Sequence, residues 1–89
     1  MISENITIIN KLGLHARAAS KLVNCASQFE SDVFISRGEN RVNAKSIMGV
    51  MMLAASKGVE LGLEIDGNDE QDCRQALVDL INDRFGENE

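Results

Sequence analysis

The 89-residue chain contains no tryptophan, tyrosine or proline, and only three phenylalanines, two cysteines and one histidine. With so few aromatic rings, the core must be assembled from Ile, Val, Leu, Met and Ala, a small but workable set at this size. No basic run interleaved with aromatics offers a platform for stacked bases, so nucleic acid is not an expected partner. No stretch approaches the roughly 18 consecutive apolar residues of a membrane span. The opening Met1-Ile2-Ser3-Glu4-Asn5 lacks the charged-then-apolar order of a secretory leader, so a cytoplasmic protein with no membrane association is expected. Cys25 and Cys73 are too few and too far apart for a disulfide framework, and two buried, reduced thiols are expected instead. One histidine and no Cys-x-x-Cys spacing leave no expected metal site, and no cofactor.

Hydrophobic residues make up 44% and charged residues 26%, which fits one folded domain over 1–89 rather than a disordered chain. The formal net charge is −5, but its distribution says more. Residues 11–57 hold seven bases and three acids, whereas residues 58–89 hold two bases and ten acids. A positive half on an acidic chain suits an acidic partner or a phosphate group.

Ile6-Thr7-Ile8-Ile9 predicts a first strand, ended by Asn10, Lys11 and Gly13. Apolar Ala19, Leu22, Val23 and Ala26 recur at helical offsets and predict a helix over 16–27. Val33-Phe34-Ile35-Ser36 and Arg41-Val42-Asn43 predict a hairpin turned at Gly38. Ser46 is the natural N-cap of a second helix over 47–55, with Gly58 as its stop. Val59, Leu61, Leu63 and Ile65 alternate with polar residues, the clearest strand in the sequence. After the Asp66-Gly67 turn, Asn68 or Asp69 caps a last helix with Cys73, Ala76, Leu77, Leu80, Ile81 and Phe85 on one face. The order βαββαβα predicts an α+β fold with its helices stacked on one face of an antiparallel sheet.

The chemistry concentrates in Gly13-Leu14-His15-Ala16-Arg17-Ala18-Ala19. The only histidine sits just before a helix, where unpaired N–H groups and the positive dipole end favour an anion. The same dipole disfavours the imidazolium and leaves a neutral ring nitrogen as nucleophile. A phosphoryl group on that nitrogen would rest among the amides of Ala16, Arg17 and Ala18, with the Arg17 fork on its oxygens. No acid lies between Glu4 and Glu30, and small Ala16, Ala18 and Ala19 should leave the site open. Ser46 is a second candidate, because a phosphate at a helix end adds roughly −2 charge beside the neighbouring surface. Ile47, Met48, Met51 and Met52 exceed what one face of a short helix buries, and Ile47, Met48 and Met51 are expected to be exposed for partners.

Gly-Leu-His-Ala-Arg and Ala-Lys-Ser-Ile-Met-Gly, at this separation, resemble the HPr family of histidine-containing phosphocarriers, including its nitrogen-branch NPr members. The resemblance covers essentially the whole chain. It implies an open-faced β-sandwich, with a four-stranded antiparallel sheet and three helices on one face. It implies that His15 takes a phosphoryl group from phosphorylated enzyme I on Nδ1 and passes it to a IIA domain of the phosphoenolpyruvate-dependent phosphotransferase system. Arg17 matches the phosphate-stabilising arginine of the family, and Ser46 the serine modified by HPr kinase/phosphorylase. Ser20, Lys21, Lys45, Ile47, Met48 and Met51 are the expected docking residues of a monomeric carrier that is not itself an enzyme. Two departures stand out. Ala18 replaces the family's usual proline, and Asn24 and Ser27 occupy positions where many relatives carry lysine. A ligand-binding regulatory domain and a pure interaction module without transfer chemistry are the alternatives. One histidine and no paired-carboxylate motif argue against a metal-dependent or acid–base enzyme.

Overall fold

The computed structural model describes residues 1–89. The alternating segment 60–66 is the organising strand β4 (Glu60–Asp66), which pairs antiparallel on one side with β1 (Ile2–Thr7) and on the other with β2 (Asp32–Arg37). A two-residue turn at Gly38, with φ +59°, returns the chain as β3 (Asn40–Asn43), giving the order β1-β4-β2-β3. Leu61, Leu63 and Ile65 share one face with Ile6, Val33 and Ile35, all buried. That face is covered by α1 (Ala16–Ser27) and α3 (Glu70–Asn82), while α2 (Ile47–Met52) lies against α1 and β3. The result is the expected open-faced α+β sandwich. On the uncovered face the Arg41 guanidinium stacks 3.7 Å from the Phe34 ring and donates to Glu64 at 2.6 Å.

Four local expectations need correction. The first strand starts at Ile2, four residues earlier than Ile6, and ends at Thr7, before Ile8 and Ile9. Its hidden cause is Glu4, a charge on the covered row that breaks the apolar alternation; Arg74 of α3 reaches it with Nε at 2.9 Å and Nη2 at 2.8 Å. The second helix stops at Met52 rather than near Ala55, and Gly58 is not its stop. Ala54 turns left-handed at φ +49°, and Arg37 Nη1 donates to the carbonyls of Leu53 and Ala54, both at 3.0 Å. A side chain from a distant strand thus ends this helix, which no local pattern announces. Phe85 is buried as expected, but in a short 3₁₀ turn at Arg84–Gly86 with φ +55°, not on the last helix. Cys25 is only partly buried, whereas Cys73 is fully buried, and both are free thiols. Burial pushes the Cys73 thiol up to about 11.

Asp69 is the N-cap residue of α3, yet its carboxylate does not cap that helix. It accepts from the Glu30 N–H at 2.9 Å, the Ser31 N–H at 3.0 Å and the Ser31 hydroxyl. This bolts the entry of β2 to the entry of α3, where Gly67 leaves no room for a Cβ: one would lie 2.6 Å from Ser31 Cα. The Ser31 hydroxyl bond, then the Glu30 amide, hold the Asp69 carboxyl below its ordinary value. A lowered carboxylate contributes stability that is complete above its unfolded value and lost as pH falls through the folded one. Asp69→Asn should therefore lower the melting temperature at pH 7, with the gap to the unsubstituted protein closing below about pH 4. Thermal melts across pH 2–7, a range set around the carboxylate values, check this.

Candidate functional site

The approach to α1 is built from a reciprocal turn. Buried Asn10 donates from Nδ2 to the Gly13 carbonyl at 2.8 Å, and the Gly13 N–H donates back to the Asn10 carbonyl at 3.2 Å. Gly13 has φ +69°, and a Cβ there would lie 2.5 Å from the Ala55 carbonyl oxygen and 2.8 Å from Ser56 Cα. Leu14 donates its N–H to that same Ala55 carbonyl at 2.8 Å and buries its side chain. Leu14 just before the cap and Ala19 in the first turn enter one core, the arrangement of a hydrophobic staple.

His15 is the N-cap residue, in extended conformation, and its side chain makes no capping bond. Ala19 is the first residue of α1 whose N–H finds an acceptor, the His15 carbonyl at 2.8 Å. The amides of Ala16, Arg17 and Ala18 are left without a protein acceptor, and no acid stands in the first turn. A Ser or Asp cap would have filled this end; an imidazole leaves it open.

The His15 side chain is 28% exposed, and its Nε2 lies 2.5 Å from Glu87 Oε2. The other Glu87 oxygen accepts from Asn10 Nδ2 at 3.1 Å. The His15 contact, then the Asn10 amide, hold the Glu87 carboxyl below its ordinary value, with the charge of Arg17 adding to the effect. Sequence reasoning missed Glu87. It lies 72 residues from His15, and no periodicity or motif marks it. The acid-free stretch between Glu4 and Glu30 is acid-free only along the chain; in space the carboxylate arrives from the acidic half.

Arg17 is exposed, has no acceptor among the acids, and lines a recess of about 630 Å³ with Lys11, Leu12, His15 and Glu87. Ala16 is exposed, but Ala18 and Ala19 are fully buried. They contribute core packing, and the openness expected of them comes from Ala16 and the uncapped helix end. Ser20 is half-buried. The two expected docking lysines are engaged with backbone carbonyls: Lys21 Nζ donates to Phe85 at 2.6 Å and Lys45 Nζ to Phe29 at 2.8 Å. Ser46 is exposed at the N-cap of α2, its hydroxyl accepting from Gly49 N–H at 3.2 Å. Ile47, Met48 and Met51 are exposed as expected, and so is Met52, the fourth of the surplus apolar residues, which was not expected to be.

The fold and the site together define a class: small α+β proteins that present one imidazole at the open end of a helix. The chain matches the PTS-HPr family, described as the PTS HPr component phosphorylation site, over residues 2–83. It is 57% identical to the phosphocarrier protein HPr of Neisseria meningitidis serogroup A over 89 residues, all of both chains. Its fold superposes on HPr-C-His from Thermoanaerobacter tengcongensis with a TM-score of 0.96, at 46% identity over the whole of each chain. A second structure from that organism, an HPr dimer, matches with a TM-score of 0.79 at 47% identity, covering 98% of this chain and 100% of that one. The chain belongs to the HPr family of phosphocarrier proteins of the phosphotransferase system. No helix is long and apolar enough to cross a membrane.

Because Gly13 combines a left-handed backbone with direct contact to Ala55, Gly13→Ala should cost about 2 kcal/mol or more. Urea unfolding monitored by circular dichroism checks this, with a lowered midpoint and an unchanged slope expected.

Proposed function

We propose that this protein is a cytoplasmic phosphocarrier in which His15 accepts a phosphoryl group from phosphorylated enzyme I and passes it to a IIA domain. The observation that carries this reading is the partly exposed imidazole beside three amides that have no acceptor of their own. The phosphoryl group goes to Nδ1, since Glu87 occupies Nε2. The amides of Ala16, Arg17 and Ala18 receive its oxygens, and the unpaired Arg17 guanidinium balances their charge. Ala18 in place of the usual proline supplies one of those donors, because proline has no N–H. The site has no second acid–base pair to activate water, which suits a carrier rather than a hydrolase.

Partners of the phosphotransferase system dock over Ile47, Met48 and Met51, whose adaptable side chains suit more than one surface. Ser46, exposed at the edge of this patch, is the proposed target of HPr kinase/phosphorylase in hosts that possess it. The nitrogen-branch role remains the second reading, on the weaker lysine complement of α1: Asn24 and Ser27 are uncharged, and Lys21 is tied to Phe85. The carrier works as a monomer in this proposal, and light scattering during transfer tests that against the dimer seen in a relative.

Incubation with phosphoenolpyruvate and enzyme I should add one acid-labile, base-stable phosphoryl group that His15→Ala abolishes. No mass gain in the unsubstituted protein sinks the carrier reading. Loss of the Arg17 fork should remove about 1.5–3 kcal/mol of charge-assisted bonding, so Arg17→Ala should slow loading roughly 10- to 100-fold. Ser46→Asp should slow loading by enzyme I while leaving α2 capped, since Asp is itself a good cap. Equal loading rates would refute a charge effect at the docking patch.

A further inference from the structure

We infer that Glu87 is the positioning residue that assigns the two ring nitrogens of His15 their separate roles. This rests on the phosphocarrier reading and deepens it. An ionised carboxylate only accepts hydrogen bonds, so its 2.5 Å contact to Nε2 requires a proton on Nε2. A neutral imidazole carries one ring proton. With that proton on Nε2, the lone pair is on Nδ1, which makes no hydrogen bond to the protein.

Glu87 is itself oriented. Asn10 Nδ2 holds Oε1 at 3.1 Å, and the Asn10 amide is fixed in turn by the Gly13 carbonyl at 2.8 Å. Turning that amide over would face its oxygen onto two acceptors, so the present orientation stands even though it leaves Oδ1 unpartnered in a fully buried side chain. Arg17, Lys11 and Glu89 are the other charged groups of this recess, and Lys11 Nζ is paired with Glu89 at 3.2 Å. Of these groups only Glu87 hydrogen-bonds the ring.

The transfer then needs no proton movement within the carrier. The Nδ1 lone pair attacks the phosphorus of the donor phosphohistidine. An Nδ1–P bond forms, the donor's N–P bond breaks, and that electron pair leaves with the donor's ring nitrogen. His15 now holds a phosphoryl group on Nδ1 and its original proton on Nε2. The ring's positive charge faces the Glu87 carboxylate. On discharge the Nδ1–P bond breaks toward the acceptor nucleophile, and the ring departs neutral with Nε2 still protonated. A ring lacking that proton would have to leave as an imidazolate, a far poorer leaving group. Glu87 thus frees Nδ1 for loading and keeps the loaded group transferable.

The network makes a sharp distinction between two substitutions. In Glu87→Gln the Asn10 N–H₂ claims the new carbonyl oxygen, which turns the glutamine N–H₂ toward His15 and forces the lone pair onto Nε2. In Glu87→Ala the ring is released. Ring ¹⁵N shifts of the unphosphorylated protein, at a pH where the imidazole is neutral, read the tautomer without any phosphoryl donor. The Nε2–H form should dominate in the unsubstituted protein, relax to a mixture in Glu87→Ala and invert in Glu87→Gln. Loading by enzyme I should fall at least tenfold in Glu87→Gln and by less in Glu87→Ala, an order that loss of packing alone would reverse. A dominant Nδ1–H form in the unsubstituted protein overturns the assignment, as does an unchanged ratio in both folded variants. Absence of phosphohistidine in the unsubstituted protein is a separate failure, that of the carrier reading.

Discussion

The placement of the imidazole depends first on a backbone contact. Gly13 runs so close to Ala55 that no Cβ fits, and the Leu14 N–H is anchored to the same carbonyl. With that segment pinned against the chain following α2, His15 has one place to go: the mouth of α1, outside the core. Leu14 and Ala19 bury themselves on either side of it and fix the angle at which the helix departs. A looser loop would let the ring fold back and cap its own helix, closing the end that a phosphate would occupy.

Electrostatics at this mouth come from two halves of the chain with opposite bias. Residues 11–57 supply Arg17 and the helix end, while Glu87 arrives from the strongly acidic residues 58–89. The carboxylate meets the ring at Nε2, so a group that attracts anions and one that compensates a cation lie within one side chain's width. Lys21 and Lys45 take no such part, because each is held to a carbonyl. Of the two bases that line the recess, Lys11 is paired with Glu89, which leaves Arg17 as the one without an acid partner.

Much of this was legible beforehand, and the misses share a cause. The helix over 16–27 and the strand through Leu61, Leu63 and Ile65 were visible because their periodicity is a property of neighbouring residues. The Gly-Leu-His-Ala-Arg segment was visible because a helix start and the only histidine share a few consecutive positions. What escaped were partnerships across the chain. Arg74 makes Glu4 tolerable in a strand; Arg37 ends α2; Asn10 aims Glu87 at His15. Each places a polar group where a one-dimensional pattern reads interruption or nothing at all. The alanines were misjudged for a related reason. Smallness reads equally as an open surface or as tight packing, and Ala18 is the latter.

The brevity of α2 has a mechanical consequence. Six residues are far fewer than a helix needs to persist alone in water. This one is held at its start by the Ser46 hydroxyl and at its finish by the Arg37 guanidinium reaching over from the sheet. A molecule leaning on Met48 and Met51 would thus press against a helix tied at both ends, with thioether torsions supplying much of the give. On the proposed docking role, the surface would work as a soft pad on a braced support, moulding to differently shaped visitors through its side chains.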